Sequence, residues 1–310
     1  MKQKFRDTKL NAKSMEHLEA VNYIVEDYQS QGYKLTLRQL YYQLVSKNII
    51  PNKDTEYKKL SRVLTEGRMA GFVDWDAIED RLRQPQNIFH VSGIPNALNI
   101  IHNQYRLDRT IGQQTMVEVW VEKDAISNVL KPVTQKYGVN LLVNRGYGSA
   151  TAMKDAYERY SRALRERYSY EPEDGDVMEV VILYLGDHDP SGLDMIRDIE
   201  DRISEMLSVD GLDVFFNVVP IALTKEQIRK YNPPPNPAKI TDSRSDAYIA
   251  EHGRVSWEVD ALPPNVLHKL LEDSIIEYLD VKKYNKIVKK EAEQKAEIKL
   301  FIDKYENENE

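Results

Sequence analysis

The chain contains no cysteine among its 310 residues. That excludes disulfides, thiolate metal ligands and a cysteine nucleophile; it suits a reducing compartment and leaves oxygen or imidazole to hold any metal. No apolar run approaches the roughly 20 residues that span a bilayer, and the opening MKQKFRDTKLNAK has no apolar signal core. The expectation is a cytoplasmic protein without a membrane partner. A glycine-rich loop of the kind that cradles nucleotide phosphates is also missing, as is any internal repeat. The length suits about two domains, with enough chain for a substantial core.

Positive charge is in short supply, since the net charge is −7. Its distribution is uneven. Residues 1–90 carry 15 Lys and Arg against 12 Asp and Glu, whereas the remainder carries 28 against 38. A mildly basic front therefore leads an acidic body. Acidity gathered in a metal-binding region is compatible with contact to nucleic acid, because a bound cation inverts the local field.

Hydrophobic spacing gives the front a helical character. Leu18, Val21, Ile24 and Val25 predict a helix over 14–31 with Ser14 as its cap. Thr36-Leu37-Arg38-Gln39 reads as a capping box that opens a helix to about Lys47, before Pro51. A third helix is expected over 55–69, carrying Lys58, Lys59, Arg62 and Arg68. Three short helices in this arrangement resemble a helix-turn-helix or winged-helix module. Those four bases, followed by Arg81 and Arg83, suit sequence-independent phosphate contacts, although a solvated helix face accounts for them equally well.

Beyond residue 115 strands and helices alternate: strand 116–121, helix from Asp124, strand 139–143, helix 150–168, strand 178–185, helix 191–208, strand 213–219. This pattern predicts an α/β layer on a mostly parallel sheet. The acidic stretch 171–176 reads as a surface loop without a chemical role. The prolines in 231–237 exclude helix and central strand there and suggest a stiff connector or flap. Glu258 and Asp260 alternate with apolar neighbours and can share a face near a metal, though duty at a sheet edge suits them better. Residues 281–310, with 8 lysines and 7 acids, read as an exposed terminal helix.

Acids stand at the ends of two apolar strands. Val180–Leu185 leads into Gly186-Asp187-His188-Asp189, and Met116–Val121 ends at Glu122, 65 positions before Asp187. In parallel sheets ligands gather at the carboxyl ends of strands. Mg²⁺ needs only a few oxygen ligands beside a substrate phosphate, so Glu122, Asp187 and Asp189 form a candidate metal site. His188 is taken as a hydrogen-bonding bystander.

The motif Val121-Glu122-Lys123-Asp124-Ala125, with the turn Asp187-His188-Asp189-Pro190-Ser191-Gly192, resembles a Toprim domain. More narrowly it is similar to the A subunit of topoisomerase VI and to its relative, the meiotic double-strand-break protein. Arg145-Gly146-Tyr147-Gly148 resembles the Lys-Gly-Tyr-Pro segment of those proteins, and Leu37-Arg38-Gln39-Leu40-Tyr41-Tyr42 resembles their Arg-Glu-Ile-Tyr-Tyr motif. The family usually has Asp-Gly-Asp where His188 intervenes here, and proline at the position of Gly148.

This resemblance implies a winged-helix-like domain over 1–110, a Toprim-like domain over 111–280 and a charged helix over 281–310. It implies Mg²⁺-dependent DNA cleavage by transesterification, with Tyr42 as nucleophile. Helical spacing points to the same residue, because Leu37, Leu40, Tyr41 and Leu44 form one stripe and leave Tyr42 about 100° from Tyr41. Tyr41 is expected in the core and Tyr42 available. Arg38, one turn earlier, can favour the phenolate or hold the scissile phosphate. The resemblance further implies double-stranded DNA as partner and a homodimer in which Tyr42 of one protomer meets the carboxylates of the other. It also implies an ATPase B-like subunit, for which the dozen residues ahead of the first helix offer little docking surface. The alternatives are a hydrolytic Toprim nuclease using activated water, a DNA-binding regulator with structural carboxylates and, more remotely, a primase.

Overall fold

The computed structural model describes residues 1–79, 88–168, 179–209, 214–237 and 245–309. Arg81, Arg83 and the acidic stretch 171–176 lie outside these.

The front is built from α1 (Ala12–Ser30), α2 (Leu37–Ser46) and α3 (Asp54–Met69). Asn11, rather than Ser14, caps α1, its side chain accepting from the Ser14 N–H at 2.8 Å. Thr36 and Gln39 form the expected reciprocal capping box on α2. Leu18, Val21 and Ile24 of α1, Leu40 and Leu44 of α2, and Leu60, Val63 and Leu64 of α3 make one core. Gly67 lets α1 and α3 approach, because a Cβ there would run into Leu18. The front thus has the three helices expected. Among the described residues of the front, extended pairing is limited to the isolated bridges Lys4–Ala70 and Leu35–Ile78.

After α4 (Ile94–Gln104) come β1 (Thr115–Val121), α5 (Asp124–Tyr137), β2 (Asn140–Val143), α6 (Ala150–Tyr168), β3 (Glu179–Leu185), α7 (Pro190–Val209) and β4 (Phe215–Ala222). The four strands pair in the order β2-β1-β3-β4, and every pairing is parallel, as the alternation predicts. Successive side chains on a strand point to opposite faces. Val119, Val121, Leu183 and Leu185 accordingly pack towards α5, while Trp120, Ile182 and Tyr184 pack towards α6 and α7. With both faces covered the chain is α/β in class. Glu118, buried on β1, accepts hydrogen bonds from Arg159 at 2.6 Å and Trp120 at 2.9 Å, so its charge is compensated.

The remainder comprises α8 (Lys225–Tyr231), β5 (Asn236–Pro237), α9 (Ser245–His252), β6 (Val255–Ser256), a 3₁₀ turn at Val259–Ala261, α10 (Pro264–Glu277) and α11 (Val281–Asn309). β5 and β6 pair antiparallel, so the proline-rich segment, expected as a stiff connector or flap, contributes a short strand. Residues 94–109, assigned from sequence to the front, pack instead along α11. Tyr105 donates to Gln294 at 2.7 Å, Asn99 to Glu306 at 3.4 Å, and Arg109 pairs with Glu291 at 2.7 Å. α4 therefore runs antiparallel to α11. The first part of α11, 281–295, holds six lysines and two glutamates, whereas 296–309 holds two lysines and four acids. Asp280 caps the helix, accepting from the N–H groups of Lys282 at 2.9 Å and Lys283 at 3.1 Å. Among the described residues no helix is long and apolar enough to cross a membrane.

Candidate active site

The register Val121↔Leu185 brings β1 and β3 to an end side by side. Glu122 and the 186–189 turn consequently emerge together at the carboxyl edge of the sheet. The Glu122 carboxylate accepts from the Asp187 N–H at 2.8 Å. Asp189 caps α7, accepting from the Gly192 N–H at 2.7 Å. Position 192 has to be glycine-sized, since a Cβ would collide with the Asp187 carbonyl oxygen. Glu122, Asp187 and Asp189 all act electrostatically on the buried Tyr184 phenol, whose pKa rises chiefly through burial and then through these three charges. Glu122 and Asp187 thus meet at the strand ends, while Asp189 is engaged at the start of α7.

Two further acids belong to the same cluster. Asp187 accepts from the Val259 N–H at 2.9 Å, which draws the 3₁₀ turn onto the strand ends. That turn carries Asp260 and follows Glu258, so neither acid stands at a regular sheet edge as expected from sequence. The ammonium of Lys123 lies among them, 2.8 Å from Asp187, 2.9 Å from Glu258 and 3.1 Å from Asp260. Arg38 pairs with Glu258 and places its Nε 3.3 Å from the second oxygen of Asp260. Asp260 is completely buried, and this second oxygen has no hydrogen bond of good geometry.

Burial and charge set the protonation states. Burial pushes the Asp187 carboxyl up to about 7, Lys123 opposing and Glu122 and Asp260 adding to the rise. Burial also works against ionised Glu258, but Lys123 and Arg38 prevail and hold it down at about 2. Lys123 is raised above the ordinary lysine range because Asp260, Asp187 and Glu258 outweigh its desolvation. The two carboxyls diverge because Asp187 is the more deeply buried and Glu258 has Arg38 in addition.

Tyr42 is not available to solvent. It is 4% exposed against 5% for Tyr41, so the stripe argument fails to separate the two. Burial, followed by the charge of Glu258, raises the Tyr42 pKa above the ordinary phenol value. Tyr41 donates to Asn52 at 2.9 Å and accepts from the Lys53 N–H at 2.8 Å, a structural pairing. The Tyr42 hydroxyl instead accepts from Asn236 at 3.4 Å, and the same amide group lies 3.3 Å from Glu258. The phenol is therefore linked to the acid cluster of its own chain.

The remaining candidates separate by contact. Lys58 and Arg62 are exposed and lie one turn apart on α3. Lys59 is partly buried and pairs with Glu56 at 3.5 Å. Arg68 stacks on Trp75 at 4.5 Å and donates to its carbonyl at 2.8 Å, so it fixes the turn after α3. His188 lies 3.0 Å from the Tyr248 hydroxyl. In the 145–148 turn Tyr147 donates to Asp194 at 2.7 Å and Arg202 donates to the Gly148 carbonyl at 2.8 Å, which ties the turn to α7.

Sequence reasoning missed Lys123 and Asn236 and undervalued Glu258 and Asp260. The Glu-x-Asp alternation was a signal for the last two; Lys123 and Asn236 had none of their own. Among the described residues no group of three or more acidic or histidine side chains is arranged to hold a metal ion as it stands, and the three carboxylates that converge do so on the Lys123 ammonium. The donor set nevertheless suits a hard cation. Every donor is a carboxylate oxygen, the acids outnumber the two neighbouring cations, and an ammonium is already held among three of them. Neither a protein-family model nor a curated protein sequence matches the chain.

Proposed function

We propose that this protein is a Mg²⁺-dependent DNA-cleaving enzyme that works by tyrosine transesterification, in the manner of a minimal topoisomerase VI A subunit with a winged-helix-like front and a Toprim-like body. One observation carries the reading: Tyr42, Asn236, Glu258, Lys123 and Asp187 form an unbroken line of contacts from the helical front to the strand-end acids. The line joins segments far apart in sequence, which is what a site uniting a nucleophile with metal-holding acids would require.

In this mechanism the Tyr42 oxygen attacks a backbone phosphorus in line. The new phosphotyrosyl bond forms as the bond to the deoxyribose oxygen breaks, and the proton given up by the phenol is matched by the one that the leaving oxygen takes up. Glu122, Asp187 and Asp189 would hold Mg²⁺, which stabilises charge on the phosphate and leaving oxygen. Arg38 is positioned to exchange its carboxylate partners for a phosphate, since a guanidinium pairs with either. Lys58 and Arg62 offer charges for the duplex backbone. Cutting both strands requires a two-fold partner, hence a homodimer; since the line of contacts lies within one chain, each Tyr42 would serve the acids of its own protomer rather than the partner's.

The burial of Tyr42 favours a second reading, a hydrolytic Toprim nuclease in which water replaces the phenol. A third, a DNA-binding regulator, draws on the neutralisation of the acids by Lys123 and Arg38. One assay separates them. The protein is incubated with supercoiled DNA and Mg²⁺, denatured with detergent, and the DNA ends are probed for attached protein. Protein-linked ends that disappear in Tyr42→Phe support transesterification. Free ends with Tyr42→Phe still active support hydrolysis, and no cleavage together with DNA binding unaffected by Asp187→Ala supports the regulator.

A further inference from the structure

Lys123 directly follows the candidate ligand Glu122, yet its side chain turns into the cluster. A lysine ammonium has three donors and no acceptor. Here the three are matched by three carboxylates from separate parts of the chain, at 2.8 Å from Asp187, 2.9 Å from Glu258 and 3.1 Å from Asp260. The ammonium thus sits among three carboxylates, which would attract a divalent cation as well.

We propose that Lys123 is a built-in competitor for the metal: it holds Asp187, Glu258 and Asp260 together in the metal-free chain, and a divalent cation binds by displacing it. The inference rests on the metal-dependent reading above. Three features support an exchange rather than a permanent bridge. The lysine side chain is 18% exposed, so its flexible four-carbon stem borders solvent. Asp260 is fully buried, and its second oxygen has only the Arg38 Nε at 3.3 Å without a well-formed hydrogen bond, so it retains capacity to accept. Glu258 also holds Arg38 and, through Asn236, reaches Tyr42, so the occupant of this position is felt at the phenol.

The test measures binding of Mn²⁺ alone by calorimetry to wild type, Lys123→Met, Lys123→Gln and Asp187→Asn, with circular dichroism as a check on folding. On the wild type, the rate of Lys123 acetylation is followed by mass spectrometry with and without Mn²⁺, with the exposed Lys58 as reference. The expected result is Mn²⁺ affinity at least about tenfold higher in the Lys123 variants, within the range usual for coupled sites, and faster wild-type Lys123 acetylation when Mn²⁺ is present. Unchanged or weaker affinity in both variants, with acetylation indifferent to Mn²⁺, overturns the proposal. In that case loss of binding in Asp187→Asn alone leaves the metal-dependent reading standing. If no form binds Mn²⁺, that reading fails and the competitor role fails with it. Should the variants not fold, the wild-type acetylation rates decide.

Discussion

The Glu122 carboxylate accepts the backbone N–H of Asp187 at 2.8 Å, locking together two strand ends that are 65 positions apart. Glu122→Gln preserves an acceptor oxygen while removing the charge. It is expected to keep thermal stability within about 1 kcal/mol of wild type and to abolish metal-dependent DNA cleavage. Glu122→Ala leaves the N–H without its acceptor and is expected to cost about 1–3 kcal/mol in urea unfolding as well. Equal stability of the two variants would show that the contact is not a structural clamp.

Asp187 and Glu258 should respond to pH in opposite directions. The Asp187 carboxyl rises on folding from 3.8 to about 7, so its contribution to stability is complete below the unfolded value and is lost as pH climbs through 7. Asp187→Asn is therefore expected to melt above wild type at pH 8, by a margin that shrinks towards pH 5. Glu258 falls from 4.5 to about 2, so its contribution is present above the unfolded value and disappears as pH drops through 2. Glu258→Gln should destabilise on the order of 2 kcal/mol at pH 7 and progressively less in acid. Melting curves over this pH range check both signs.

The two neighbouring tyrosines are equally buried but differ in how their hydroxyls are held. Tyr41→Phe strands a backbone N–H and is expected to cost about 1–3 kcal/mol. Tyr42→Phe loses a 3.4 Å contact with Asn236 and the hydroxyl's interactions with Glu258 and Arg38, strands no backbone N–H, and should cost about 1 kcal/mol, while protein-linked DNA ends disappear. Differential scanning calorimetry and the detergent-trapping assay distinguish the pair.

The bases of α3 divide in the same manner. Arg68→Ala removes a stack on Trp75 and a bond to its carbonyl, so a lower melting temperature is expected without a change in the salt dependence of DNA binding. Lys58→Ala and Arg62→Ala should leave melting unchanged and each lower the slope of log affinity against log salt by about 1. Fluorescence anisotropy across a KCl series reads these slopes.

Much of this arrangement can be read in the residues. The apolar runs ending in Glu122 and Asp187 identify strands whose termini meet, because a buried parallel strand must be apolar throughout and can place an acid only at its end. Thr36 and Gln39 fix the start of α2 for a purely local reason. The exposure of Tyr42 could not be read. The angle between Tyr41 and Tyr42 is correct, but Gln39 through Val45 are all buried, so α2 has almost no solvent face for the amphipathic argument to use. Asn236 was hidden because a proline run suggests backbone stiffness and says nothing about a side chain. Glu258 and Asp260 meet Lys123 through a 3₁₀ turn that only tertiary packing selects.

One property of α11 follows from the order of its charges. A helix favours anions at its N-terminal end and cations at its C-terminal end. Here lysines crowd the beginning and acids the end, so side chains and backbone dipole oppose each other. Salt that screens side-chain charges should consequently firm the first turn, where Lys282 and Lys283 oppose the dipole, while weakening the pairs Lys289–Glu293, Lys299–Asp303 and Lys304–Glu308 further along. Asp280 supplies a cap that offsets the conflict, so Asp280→Ala should unwind the first turn most readily in dilute buffer, at a cost of about 1 kcal/mol that fades as ionic strength rises.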